Sequence, residues 1–191
     1  LDIGIPKPLS QPSWDDFSAL GAAEGTTGIR LTGPTLIAIL NPDGFQGTGW
    51  AADTTVTLTI KPDLWAEDVV TDENGDFTIT NFGFDVRAGH EVEATDGINT
   101  ITYTVTNLMV THKDAVQNFI RGTATPGAAI DVLIDDGAGG YFLQTATADG
   151  EGVWRADFTE ITDIVVGVVG VARQSDSDGN RTDFYFSVNN P

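Results

Sequence analysis

Alternation of apolar and polar residues, broken at short intervals by turn residues, dominates residues 121–158. Ile130, Val132 and Ile134 stand at every second position, after a turn of small residues over 122–129. Period two places these side chains on one face of a strand, so that one face is buried and the other meets water. Helix-favouring runs are nearly absent, whereas Thr, Val, Ile and Gly are abundant. The pattern predicts an all-β fold of antiparallel strands.

The same pattern occurs twice along the 191 residues. Residues 54–60 alternate as 129–134 do, and residues 72–77 match residues 149–154, with the large aromatics Phe77 and Trp154 at the same step. Further on, residues 96–103 match residues 178–185 in the same order. A repeat of roughly 75 to 85 residues suits a seven-strand sandwich, because solenoid repeats have about 20 to 50 residues. We therefore expect two tandem sandwich domains, residues 31–107 and 108–191, preceded by an arm and linker over residues 1–30.

The second copy is also similar to a known class of domain. It has a turn of the form Gly-x-Ala-x-Pro-Gly-Ala over residues 122–128, a strand containing Val, and Ala-Asp-Gly-x-Gly-x-Trp over residues 148–154. In these features it resembles the bacterial immunoglobulin-like (Big-type) repeat domains of secreted and cell-surface proteins. The resemblance covers most of the C-terminal half. It implies an immunoglobulin-like β-sandwich that is secreted or displayed on the cell surface, and it implies no chemistry.

Turn signals and alternation predict the positions of the strands. For the first domain these are 36–40, 54–60, 69–71, 77–81, 90–95 and 100–106, and for the second 108–112, 118–122, 129–134, 141–147, 153–158, 164–172 and 183–188. The turn over residues 41–44 is expected to end the first strand. Ahead of the domains, residues 13–21 have the composition of a short helix with Ser13 as its N-cap. Since no long loop separates the two domains, we expect a stiff junction near Asn107.

The arm at residues 1–30 matches neither copy of the repeat. Leu1, Ile3 and Ile5 stand at every second position, and the Pro-Lys-Pro of residues 6–8 follows as an extended spacer. An extended peptide of this kind can add to an open sheet edge. We expect the arm to act as a donor strand that completes a sheet in a neighbouring subunit, or to fold back on its own domain. Because the first residue is leucine, the chain is expected to be a mature chain after signal-peptide removal, or a piece of a larger protein.

The charge of the chain limits its partners. It carries 28 acidic against nine basic residues, a formal net charge of −19. Such a field repels phosphate backbones and anionic membrane surfaces, so nucleic acid is not an expected partner. The acidity suits the solubility of a secreted protein.

Cysteine is absent from the sequence. Its absence excludes disulfides, thiolate metal sites and cysteine nucleophiles. The sequence also lacks any apolar run approaching the roughly 20 residues of a membrane span. Hydrophobic residues still make up 40% of the chain, which is enough for packed cores.

Two acidic loops have a spacing suited to calcium. They share oxygen-bearing side chains at alternate positions: Asp72, Asn74 and Asp76 in the first, and Asp176, Asp178 and Asn180, with the nearby Asp183, in the second. Alternate positions in a tight loop can direct several oxygens at one hard cation. Neither loop is an EF-hand, because Gly stands at the fourth position and no Glu closes the loop at the twelfth. The alternative is a plain hairpin turn, in which Asn-Gly and Asp-Gly are the usual residues. Calcium is therefore a candidate cofactor beside that alternative.

No recognisable active site can be assembled from the sequence. His90 and His112 are the only histidines, and neither stands in a metal-ligand spacing or beside a nucleophile motif. A Gly-x-Ser-x-Gly elbow and a phosphate-binding Gly loop with Lys are both missing. We expect both histidines to be ordinary strand residues and the protein not to be an enzyme. Carboxylate pairs for sugar hydrolysis stay open, because acidic residues are abundant.

Aromatic and lysine residues offer two further options. Trp154 and Phe77 are expected in the cores, whereas Trp50 and Trp65 lie in loop-like stretches and either cover a sandwich end or stack on sugars. Some surface immunoglobulin-like domains also form Lys–Asn isopeptide bonds. The lysines that could do so are Lys7, Lys61 and Lys113.

These expectations combine into one functional hypothesis with two alternatives. The hypothesis is a non-catalytic extracellular structural protein that assembles with copies of itself, by N-terminal strand exchange, into a surface filament, a pilus-like appendage or a layer. The first alternative is an adhesion module that binds glycan, calcium or other surface proteins within a larger surface protein. The second is an accessory domain of a secreted enzyme.

Overall fold

The computed structural model describes residues 33–62, 64–80, 83–136 and 140–188. The predicted donor strand (Leu1, Ile3 and Ile5) and the predicted helix over residues 13–21 lie outside these ranges. Within them, fourteen β-strands and no helix account for the regular structure. The predicted all-β fold of two tandem β-sandwiches is confirmed.

Seven strands form the first sandwich. They are β1 (Thr35–Leu40), β2 (Asp43–Thr48), β3 (Thr55–Lys61), β4 (Trp65–Val70), β5 (Phe77–Thr80), β6 (Glu91–Thr95) and β7 (Thr100–Thr104). One layer contains β1, β2 and β5, and the other contains β4, β3, β6 and β7. The alternate apolar side chains of both layers meet in a single core, which includes Leu36, Phe45, Leu58, Ile60 and Val92.

The second sandwich repeats this arrangement with the next seven strands. They are β8 (Leu108–Asp114), β9 (Phe119–Ala124), β10 (Ala129–Asp135), β11 (Tyr141–Thr147), β12 (Val153–Asp157), β13 (Val169–Ser175) and β14 (Arg181–Ser187). One layer has the order β12-β9-β8 and the other β11-β10-β13-β14. Adding seven to each strand number of the first sandwich therefore reproduces the second. The core between the layers includes Leu108, Ile120, Ile130, Trp154 and Phe158.

The two sandwiches are joined by a strand pair that the sequence analysis did not predict. Strand β1 pairs in parallel with β14, with Ile37 opposite Arg181 and Ile39 opposite Asp183. The pair merges one layer of each sandwich into a seven-stranded sheet of order β11-β10-β13-β14-β1-β2-β5. This sheet, called the joined sheet below, connects the first and last strands of the described chain.

Three details of the predicted strands were wrong. Residues 43–48 form β2, which was missed because its two glycines and its polar residues weaken the strand pattern. Trp65 begins β4 rather than lying in a loop, and it pairs with Ile60. Strand β13 begins at Val169 rather than at residue 164, because Ile164 reaches the second core from the preceding loop.

Candidate functional site

The first acidic loop is a turn that its leading carboxylate holds together. Asp72 Oδ1 accepts hydrogen bonds from the backbone N–H groups of Asn74, at 2.8 Å, and of Asp76, at 2.9 Å. The backbone N–H of Asp72 in turn donates to the carbonyl of Asp76 at 2.8 Å. These bonds, the one from Asp76 first, hold the pKa of the Asp72 carboxyl below its usual range. The carboxylate therefore already has a structural role in the turn.

The second acidic loop has the same geometry. Asp176 Oδ1 accepts from the N–H groups of Asp178, at 2.8 Å, and of Asn180, at 2.9 Å. Both polar atoms of the Asn180 side-chain amide form hydrogen bonds. Its Nδ2 donates to Asp176 Oδ2 at 3.1 Å, and its Oδ1 accepts from the N–H of Leu36 at 3.0 Å. Asn180 is thus a buried link between the sandwiches. Asp183 does not join this loop, because its carboxylate lies in the joined sheet against two arginines.

A third loop shows which residues the geometry requires. Asp149 Oδ1 accepts from the N–H groups of Glu151 and Val153, both at 2.9 Å, although this loop lacks the alternating pattern of oxygen ligands. The shared elements are the leading aspartate and a glycine three residues later. Gly75 and Gly152 both have φ of +81°, where a side chain would strain the backbone. Among the residues that the structure describes, no group of three or more acidic, histidine or cysteine side chains could hold a metal ion. Calcium binding stays a proposal.

Each of the matching turns also anchors an aromatic residue over a glycine. Phe77 lies opposite Gly47 in the β2–β5 pair, and Trp154 lies opposite Gly122 in the β9–β12 pair. A side chain at either glycine would collide with the aromatic ring across the pair. The match between residues 72–77 and 149–154 therefore corresponds to the same packing unit in both sandwiches.

The most concentrated set of buried polar groups lies at the junction of the sandwiches. Asp183 is fully buried, and the Nε atoms of Arg181 and Arg173 lie 3.1 and 3.5 Å from its carboxylate oxygens. On the opposite face of β14, Thr182 Oγ1 lies 2.8 Å from the hydroxyl of Tyr103 and accepts from the N–H of Thr106 at 2.9 Å. Buried groups of this kind are costly unless paired, so the geometry of the junction is strongly specified. Of these residues, the sequence analysis singles out only Asp183, as a candidate calcium ligand.

Burial at this junction also perturbs a tyrosine. Tyr185 follows Asp183 on the same face of β14, and desolvation raises the pKa of its phenol to about 12. Its backbone extends the pairing of β1 with β14: the N–H of Tyr185 donates to the carbonyl of Asn41 at 3.1 Å, and Asn41 Nδ2 donates to the carbonyl of Tyr185 at 2.8 Å.

The two histidines contact neighbouring residues of their own sandwiches. His112 lies in β8 with Nε2 3.6 Å from Asp114 Oδ2, and its ring packs on Phe119. His90, one residue ahead of β6, accepts a hydrogen bond at Nδ1 from the backbone N–H of Arg87 at 3.2 Å.

The loop tryptophans and the strand lysine have packing and ion-pair roles. Trp50 is buried against Phe77, and Trp65 packs between Phe45 and Phe84 with ring centroids about 6 Å from each. Both therefore cover the first core. The Lys61 ammonium lies 2.6 Å from Glu93 and 3.6 Å from Glu91, and these pairings raise its pKa. In the described ranges, no helix is long and apolar enough to cross a membrane.

Comparison with solved structures finds distant neighbours. No family model matches the sequence, and no curated protein matches it. A tetra-tandem repeat from the extending region of a large adhesion protein is 18% identical over 80% of this chain, with a TM-score of 0.33. The BSP domain of a biofilm associated protein is 14% identical over 83%, with a TM-score of 0.37. A two-domain fibronectin type-III segment of chicken tenascin is 13% identical over 75%, with a TM-score of 0.28.

The chain spans 48% and 29% of the length of the two bacterial proteins and 91% of the tenascin segment. TM-scores this low do not establish that the chains share a fold. The fold is therefore assigned from strand order and pairing, and the likeness to immunoglobulin-like repeat domains remains a resemblance.

Proposed function

We propose that this chain is a non-catalytic extracellular structural module whose two sandwiches act as one stiff unit bearing tension along the chain. The observation that carries the proposal is the parallel pairing of β1 with β14. The chain enters β1 at Thr35 and leaves β14 at Ser187, and parallel strands place these two points at opposite ends of the pair.

This geometry determines how a pulling force is distributed. Tension between residues 33 and 188 slides β1 along β14, so that the interstrand hydrogen bonds are loaded together rather than one after another. The force passes directly from β1 to β14, and both cores are bypassed until that pair separates. A module loaded in this way resists extension as a single body.

Side chains along one face of the pair support the same role. Thr182 links β14 to Tyr103 and Thr106 of the first sandwich, and Asn180 accepts from the N–H of Leu36. Separation of the strands would leave these groups exposed or unpaired, which adds to the barrier. Placement outside the cell is supported by the acidic composition and by the resemblance to surface repeat domains.

Single-molecule extension of the full chain tests the proposal. With attachment points at Gly33 and Val188, we expect the first rupture to need the highest force and the two sandwiches to unfold afterwards at lower force. Forced unfolding is governed by the unfolding rate, so weakening the junction should lower that first force. Thr182→Val should do so, whereas Thr102→Val on the exposed face of edge strand β7 should not. Two independent events that Thr182→Val leaves unchanged would contradict the proposal.

Assembly by strand exchange is a finer proposal, in which the arm with Leu1, Ile3 and Ile5 binds a neighbouring subunit instead of folding back on its own domain. Its test is deletion of residues 1–9. Exchange predicts soluble folded monomers in place of polymers, whereas filaments formed by the shortened chain would rule the arm out as the link. The glycan-binding alternative has less support, because Trp50 and Trp65 pack onto the first core. Calcium binding by the loops at Asp72 and Asp176 is tested by the chelation experiment below.

A further inference from the structure

A third apolar cluster lies on the outer face of the joined sheet, opposite both cores. Its buried members are Ile37, Ile39, Leu133, Val171 and Tyr185, and they are called the outer strip below. Alternation explains their direction: in β1, Leu36 and Ala38 point into the first core, so Ile37 and Ile39 point to the other face. The exposed fractions of the five side chains are only 0% to 4%.

The outer strip differs from the two cores in having a single layer. Each core combines side chains from two facing layers. Every hydrophobic residue of the strip, including the partly buried Tyr141 and Val169, comes from β1, β10, β11, β13 or β14 of the joined sheet. A single sheet cannot shield its own outward side chains from water. The described part of the chain supplies no second layer of apolar residues on this face, yet the strip is buried.

We propose that residues 1–32 of the same chain cover the outer strip. Every other stretch outside the described residues has three residues or fewer, which is too short to cover side chains on four strands. Residues 1–32 also lead directly into β1, which itself contributes Ile37 and Ile39. They contain enough large apolar side chains for a second layer: Leu1, Ile3, Ile5, Leu9, Trp14, Phe17, Leu20, Ile29 and Leu31.

One strand pair marks where the covered area ends. Leu133 of β10 lies opposite Leu143 of β11, and both point to the outer face of the joined sheet. Leu133 is 3% exposed, whereas Leu143 is 48% exposed. The burial therefore reaches β10 and falls away at Leu143 of β11. A cover with this boundary would lie over the junction of the two sandwiches.

Cysteine accessibility in the full-length chain tests the cover. The protein has no cysteine of its own, so Leu133→Cys and Leu143→Cys each introduce a single thiol. If the strip is covered, the thiol at position 133 should react with a maleimide roughly 100-fold more slowly than the thiol at 143, because labelling requires local opening. Equal labelling rates in folded protein would overturn the proposal.

Photo-crosslinking then identifies the occupant. A benzophenone attached to Leu143→Cys lies at the rim of the strip, and the same group on Met109→Cys, which is also 48% exposed, lies on β8 in the other layer. We expect crosslinks from position 143, and not from 109, to peptides of residues 1–32. A mixture of isotope-labelled and unlabelled chains distinguishes crosslinks within a chain from those between chains. Crosslinks only between chains, or none to residues 1–32, would refute the assignment of the occupant.

Discussion

The hydroxyl of Thr182 connects the two sandwiches, and its removal should weaken both. The side chain is fully buried in β14, and its Oγ1 holds the Tyr103 hydroxyl and the Thr106 N–H of the first sandwich at 2.8 and 2.9 Å. Thr182→Val keeps the shape and removes both hydrogen bonds. Two neutral bonds contribute about 1 to 3 kcal/mol together, and the stranded Thr106 amide adds a desolvation cost. We expect a loss of about 2 to 3 kcal/mol in the free energy of unfolding.

A double-mutant cycle separates this link from the effect of either residue alone. Tyr103→Phe should cost about 1 kcal/mol in the wild-type background, because it removes one of the two bonds to Thr182. In the Thr182→Val background it should cost less, since that bond is already absent. Urea unfolding of the full chain, followed by tryptophan fluorescence, gives the four free energies. A coupling of about 0.5 kcal/mol or more supports the link. If the two losses add within about 0.3 kcal/mol, the sandwiches do not stabilise each other through this contact.

Three further perturbations test the repeated packing unit, the acidic loops and the junction. Trp154→Ala should cost about 3 to 5 kcal/mol of unfolding free energy. Trp154→Phe should cost much less, because a phenylalanine, Phe77, fills the matching place in the first sandwich and the indole N–H of Trp154 has no acceptor among the described residues. A loss below about 1 kcal/mol for Trp154→Ala would place this residue outside the core. If the loops at Asp72 and Asp176 hold calcium at about 100 times its dissociation constant, chelation should remove roughly 2.7 kcal/mol and lower the melting temperature; an unchanged melt would leave them as plain turns. Because burial raises the folded-state pKa of Tyr185 to about 12 from 10.0, the stabilisation that depends on its neutral phenol is fully present below pH 10 and is lost as the pH rises through 12. The phenolate absorbance of Tyr185, taken as the difference between the wild-type chain and Tyr185→Phe, should appear with unfolding rather than near pH 10.

Local sequence signals were sufficient for most of each sandwich. The match of residues 72–77 with 149–154 is recognisable in the sequence because each copy combines a leading aspartate, a glycine that needs positive φ, and a core aromatic residue. Period-two alternation likewise located most of the strands within a few residues. Strand β2 was not predicted because Gly47, which leaves room for the Phe77 ring, has no side chain to continue the alternating pattern.

The junction could not be predicted, because its signals are not local. The residues that β1 and β14 bring into register, such as Ala38 and Thr182, are far apart in the chain, and a parallel pair leaves no turn motif between its strands. The spacing of residues groups Asp183 with the acidic loop that precedes it, although alternation along β14 directs its carboxylate to Arg173 and Arg181. Sequence spacing gave its neighbours along the chain, whereas the sheet determines its neighbours in space.

Parallel pairing of β1 with β14 also protects an edge on each sandwich, so the halves should depend on each other. A sheet edge presents unpaired N–H and C=O groups and is a site of association. Residues 108–191 expressed alone would expose the β14 edge, together with the buried Asp183 and Tyr185 beside it. We expect this half to melt at a lower temperature than the full chain, or to self-associate. The full chain with a protease site inserted at Asn107 and cleaved after folding is the matched control, because it has the same break and retains β1. If the isolated half is monomeric and melts with the cleaved control, the boundary at residues 107 and 108 separates two independent domains, and the parallel pair contributes little to stability.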